Sequence, residues 1–115
     1  MKLSQIAEQL DLEDLTPALQ TDAEVTAGHA SDLLSDVLAN APSGGVLVTI
    51  QVHMNVVAVA LHAGLAAVVF ASERTPEVSV RERAEKEGIK LYLSKDPTFE
   101  IVGKLYSLGL RGSHG

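Results

Sequence analysis

Four small polar clusters carry the side chains that could do chemistry in this chain, and each follows an apolar run. They are His29, Ser31 and Asp32; Gln51, His53 and Asn55; Ser72, Glu73 and Arg74; and Ser94, Lys95 and Asp96. Arg74 and Lys95 are suited to neutralising a phosphate or carboxylate. Histidine titrates near neutral pH and serves as acid, base or hydrogen-bond partner. His53 is the most informative of these residues, because it stands between an apolar strand-like run and an almost wholly apolar helix-like one. The residues leave two readings open for it, a functional group or an internally satisfied helix cap.

Spacing narrows the chemistry further. His62 lies nine residues after His53, so on one helix the two would point to roughly opposite sides and could not share a metal. The chain has no cysteine, which excludes a thiol nucleophile, disulfides and thiolate metal sites. No stretch has the GxxxxGK[ST] form that holds phosphates for transfer. Gly44-Gly45 precedes an apolar run instead of following one, and reads as a tight turn. No serine has a readable base and orienter, so the sequence assigns no catalytic residue, metal or cofactor; a small enzyme with a histidine-based site at His29, His53 and Asn55 stays open as a rival reading. The alternating charges from Arg81 to Glu87 have the spacing of a solvated helix face with i,i+4 pairs.

The elements that must position these clusters follow from periodicity. Val46–Ile50 is an apolar, largely β-branched run bounded by turn residues, and Ala66–Ala71 and Lys90–Leu93 are similar. A weaker alternation predicts a first strand over 23–27. Leu3, Ile6, Ala7 and Leu10 share one helical face, with Ser4 as a cap. Further helices are expected over 30–39 with Ser31 as cap, over 55–63 before Gly64, and from about Pro76 to Glu87 before Gly88. A last helix is expected to open at Asp96-Pro97 and to bury a stripe of Phe99, Val102, Leu105 and Tyr106. Strands alternating with helices predict an α/β fold: a single three-layer domain over residues 1–115, with a mainly parallel sheet of about four to five strands. Residues 1–16 are read as an N-terminal helix and linker, and 111–115 as a frayed tail.

The stretch QVHMNVVAVALHAGLAAVVFASERTPEVSVRERAEKEGIKLYLSKDPTFEIVGKLYSLGL resembles the DRTGG domain family, in which strand, polar turn, helix, strand and turn recur in this order. Stand-alone members of that group begin much like KLSQIAEQL and carry a segment like EVTAGHASDLLSDVLAN. By position the family's Asp-Arg pair falls on Val52 and His53, and its Thr-Gly-Gly on Ala71, Ser72 and Glu73. The chain is also similar to the non-catalytic N-terminal domain of HPr kinase/phosphorylase. The resemblance implies a regulatory or protein-interaction module; related domains are appendages of pyrophosphatases and phosphotransacetylases, some of which bind adenine nucleotides together with CBS domains.

In a parallel sheet, ligands bind outside the carboxyl ends of the strands. The four clusters fall there, so the candidate ligand site comprises His29, Gln51, His53, Asn55, Ser72, Arg74 and Lys95, with a nucleotide or other anion as ligand. Loop solubility alone also accounts for polar residues at these junctions. A net charge of −6 opposes binding to nucleic acid or an anionic membrane, and aromatics at 3% supply few stacking surfaces. No run reaches the roughly 18 consecutive apolar residues of a membrane helix, and the cytoplasm is the expected compartment. The helix over 55–63 has almost no polar face, which predicts a homodimer built on it.

Overall fold

The three central apolar runs form the strands that their composition predicts. The computed structural model describes residues 1–112. In chain order the elements are α1 (Leu3–Gln9), β1 (Glu13–Asp14), β2 (Gly28–Ala30), α2 (Leu34–Asn40), β3 (Val46–Thr49), α3 (Asn55–Ala63), β4 (Ala67–Phe70), α4 (Val78–Glu87), β5 (Lys90–Leu93) and α5 (Thr98–Ser107). The sheet order is β1-β5-β4-β3-β2. Neighbours among β2 to β5 are parallel, and only β1 runs antiparallel, against β5. The result is one α/β domain with a mainly parallel, five-stranded sheet.

Alternate side chains sort the sheet into two cores, as the two-residue period of a strand requires. Val46, Val48, Ala67 and Val69 pack against Leu3 and Ile6 of α1 and Ile101 and Leu105 of α5. Leu47, Val68, Phe70 and Leu91 pack against Val37 of α2, Val56, Val57 and Ala60 of α3, and Val80 and Ala84 of α4. Strands covered on both faces can be continuously apolar, which explains the composition of β3 and β4. Gly64 and Gly88 end α3 and α4 in the left-handed conformation, with φ of 69° and 78°, where a side chain would be strained.

Tertiary pairing changes several of the expected elements. The first strand is not 23–27 but Gly28–Ala30, in register with Val46–Val48. Residues 23–25 are held by the N-terminal arm instead: Leu3 N–H donates to the Ala23 carbonyl and Val25 N–H to that of Met1. β1 was unforeseen within the expected linker; it covers the open edge of β5, where an unpaired edge would be exposed. α2 starts at Leu34 because Ala30 belongs to the strand, and Ser31 Oγ accepts the Leu33 N–H in a turn before the helix. Ser4 does not cap α1; its N–H and hydroxyl both donate to Asp22, and Lys2 precedes the helix. The Asp96-Pro97 start is displaced by one residue, with Thr98 the first helical position.

The stripe expected on α5 is also corrected. Ile101 and Leu105 are its buried residues, whereas Phe99, Val102 and Tyr106 are exposed. Arg111 and Gly112, expected in a frayed tail, pair with Gly28 through an Arg111 carbonyl bond and a parallel bridge. Residues 113–115 of that tail lie outside the described residues. No helix among the described residues is long and apolar enough to cross a membrane.

Candidate functional site

Hydrogen bonds between loops account for many of the polar groups at the carboxyl edge of the sheet. Asp32 Oδ1 accepts both the Thr49 hydroxyl (2.9 Å) and the Ile50 N–H (2.8 Å), joining the ends of β2 and β3. Ser72 N–H donates to the Asp96 carbonyl and Glu73 N–H to that of Ser94, each at 2.8 Å, joining the ends of β4 and β5. Asp96 also accepts Lys104 Nζ at 2.6 Å, and the bond holds the Lys104 ammonium above its ordinary pKa. Of these residues Thr49 and Ser94 are buried, and a buried polar group must be paired.

His29 is inside β2, beside Leu47, and not in the loop that follows it. Its Nε2–H donates to Asp36 Oδ2 at 3.0 Å. Asn40 donates to the other Asp36 oxygen at 2.8 Å. Donation from Asn40, then Ser31 and His29, holds the Asp36 carboxyl at a pKa of about 2.

His53 stands just before α3, and its ring is engaged with the start of that helix. Asn55 N–H, the first helical amide of α3, donates to His53 Nδ1 at 3.1 Å. Gln51 Oε1 in turn accepts the His53 N–H at 3.1 Å. One ring nitrogen thus accepts the first amide of α3. His53 lines an open cleft of about 640 Å³ between the β3–α3 and β4–α4 loops, together with Gln51, Arg74, Thr75, Glu77 and Ser79. Arg74 brings positive charge, Gln51, Thr75 and Ser79 bring neutral donors and acceptors, and Glu77 is the one acid of the lining.

The seven candidate site residues therefore divide. Gln51, His53 and Arg74 share the cleft; Asn55 lines a separate groove of about 320 Å³ beside Leu61, His62, Arg83 and Glu87. His29 is tied to Asp36, and Ser72 and Lys95 line neither the cleft nor the groove. Among the described residues no group of three or more His, Asp or Glu is placed to hold a metal. The sequence reading missed one polar centre away from this edge. Lys90, 3% exposed, donates to both Asp14 oxygens at 2.8 Å and to the carbonyls of Thr16 and Leu19. A lysine opening an apolar strand, with an acidic segment elsewhere, was the available signal.

Ser72 and Glu73 have consecutive left-handed φ angles of 57° and 56°. A left-handed conformation costs a residue with a side chain roughly 1–2 kcal/mol. Glycine would remove that cost and lose about 0.5–1 kcal/mol in chain entropy. Ser72→Gly and Glu73→Gly are each expected to stabilise the fold by about 0.5–1 kcal/mol, roughly 2–6 °C in Tm. A thermal melt in which neither variant rises would contradict this account of the turn.

No family model matches the sequence, and no curated protein matches it significantly. The fold is similar to one already seen in a solved structure. That structure comprises the CBS and DRTGG domains of the regulatory region of Clostridium perfringens pyrophosphatase, complexed with its activator, diadenosine tetraphosphate. The superposition has a TM-score of 0.73 and covers 90% of this chain at 12% identity. It covers 45% of the solved chain, so the present chain spans less than half of that protein.

Proposed function

We propose that this chain is a non-catalytic regulatory module of DRTGG type that senses an anionic small molecule, an adenine nucleotide being the first candidate. The observation that carries the ligand reading is the cleft shared by Gln51, His53 and Arg74. There a guanidinium and an imidazole meet between two loops at the carboxyl edge of a parallel sheet, where α/β folds take their ligands. Asp32, Ser72 and Asp96, polar groups of the same edge, are engaged in holding the loops together. The family assignment has separate support. Ser72 and Glu73 occupy the positions of the family's paired glycines, and both keep the left-handed backbone that glycine favours. The solved neighbour, a regulatory region bound to a nucleotide activator, makes adenine nucleotides the first ligands to try.

Calorimetric titration with ATP, AMP, diadenosine tetraphosphate and inorganic phosphate tests the proposal. At least one is expected to bind saturably without being converted, as followed by phosphorus NMR. Arg74→Ala is expected to weaken that binding about tenfold or more, because one charge-assisted hydrogen bond contributes about 1.5–3 kcal/mol. Binding indifferent to Arg74→Ala and His53→Ala would remove the cleft as the site, and turnover of the nucleotide would remove the non-catalytic reading.

A second reading, a protein-interaction module that associates as a homodimer, is favoured by the exposed apolar residues Leu61 on α3 and Phe99, Val102 and Tyr106 on α5. The same proposal takes the cytoplasm as its compartment and residues 1–115 as one domain.

A further inference from the structure

We propose that the outward face of α5 is the two-fold contact between two copies of this chain, an inference that rests on the homodimer reading above. α5 is apolar on two opposite sides. Ile101 and Leu105 face the core, while Phe99, Gly103 and Tyr106 recur at i, i+4 and i+7 on the other side, with Val102 beside them. Phe99 is 86% exposed and Tyr106 58% exposed. The chain has two Phe, two Tyr and no Trp, so this one stripe holds two of its four large aromatic side chains. Aromatic rings are concentrated at the centres of interfaces, where they contribute large contact area at little entropic cost.

Gly103 shows what the stripe accommodates. A Cβ built on it would meet nothing within 4 Å, so its own chain does not require a glycine there. A mid-helix glycine nevertheless costs about 0.5–1 kcal/mol relative to alanine. Close approach of another helix backbone makes use of the missing side chain.

The occupant that matches this face is a second α5. Antiparallel pairing about a two-fold axis between Val102 and Gly103 sets Phe99 of one copy opposite Tyr106 of the other, twice over. Such a contact is closed and self-complementary. Asp96 and Lys104 pair with each other within the chain, which leaves Glu100 in the first turn of the helix and Arg111, stacked 3.6 Å from the Tyr106 ring centroid, beyond its C-terminal end. Antiparallel pairing brings this acid toward the base of the other copy, whereas parallel pairing would oppose like charges. Beside Tyr106 lies a largely apolar cavity of about 250 Å³, lined also by Val48, Val102 and Leu105, with His29 and Arg111 as its polar members. An apolar cavity of about 150 Å³ takes benzene, so this one has room for the phenyl ring of Phe99 from the other copy. α3 offers less: Val56, Val57 and Ala60 are buried, and the exposed Ala58 and Leu61 stand between the polar Asn55 and His62.

Sedimentation equilibrium at micromolar concentration tests the assignment, using the wild type, Phe99→Glu, Gly103→Leu and Leu61→Glu, with circular dichroism to confirm that each is folded. Gly103→Leu is the decisive variant, because leucine favours helix and blocks only close approach from outside. The wild type and Leu61→Glu are expected at twice the chain mass of 12.1 kDa. Phe99→Glu and Gly103→Leu are expected to dissociate, each raising the dissociation constant roughly thirtyfold or more, as removal of a central anchor does. Dimers that survive both α5 substitutions would overturn this face and leave the homodimer reading standing. Dissociation by Leu61→Glu alone would move the contact to α3, and a monomeric wild type would overturn the homodimer itself.

Discussion

Asp14→Ala is expected to destabilise the protein by about 3 kcal/mol, and Lys90→Met by about 2 kcal/mol, through the same ion pair. The asymmetry follows from exposure. The Lys90 ammonium is 3% exposed and the Asp14 carboxylate 40%, so removing the acid strands a buried charge, whereas removing the lysine leaves an acid that water can reach. The pair also anchors the chain between β1 and β2, because Lys90 Nζ donates to the carbonyls of Thr16 and Leu19. Thr16 Oγ1 in turn accepts the Leu91 N–H, continuing the cover over the β5 edge. Against a typical domain stability of about 5–15 kcal/mol, such a loss is readily measured by urea denaturation. The double variant Asp14→Leu with Lys90→Met is expected to cost less than the two single changes together, because neither charge is left alone. A loss below about 1 kcal/mol for Asp14→Ala would show that the pair is not a structural anchor.

Phe70→Ala is expected to be the most damaging change, at about 3–5 kcal/mol. Phe70 is fully buried at the carboxyl end of β4, between Thr49 of β3 and Leu93 of β5, in the core under α2, α3 and α4. It is the largest fully buried side chain of the domain, and the neighbouring Leu, Val and Ala side chains can close only part of the cavity it would leave. Val78→Ala, at an exposed position on α4, is the matched control and is expected to stay within about 0.5 kcal/mol of wild type. Equal urea midpoints for Phe70→Ala and the wild type would refute this description of the core.

Where the polar clusters gather was legible in the sequence; which of their groups bond to one another was not. That His53, Ser72 and Ser94 stand near one edge of the sheet follows from placing each polar cluster after a strand, because crossovers in a parallel sheet bring all such loops to the same side. Whether a group there is free for a ligand depends on distances between segments remote in the chain. Asp32 meets Ile50 and Asp36 reaches back to His29, engaging those side chains, whereas Ser72 meets Asp96 through backbone groups alone. Gln51, His53 and Arg74 still line the cleft after those contacts form.

Local chemistry alone determined β3, α3, β4, α4 and β5 to within a residue or two. β-branched runs favour the pleated backbone, and Gly64 and Gly88 supply the left-handed residue that ends a helix. Only the tertiary structure decided the rest. β1 and β2 are two and three residues long and have no strand signal strong enough to read; they exist because a partner strand lies beside them. α5 carries apolar residues on two faces, and helical periodicity cannot say which one turns inward. The chain returning from β5 across the sheet sets Ile101 and Leu105 against β3 and leaves Phe99 and Tyr106 outside. Burial is a property of the whole packed domain, and no window of the sequence contains it.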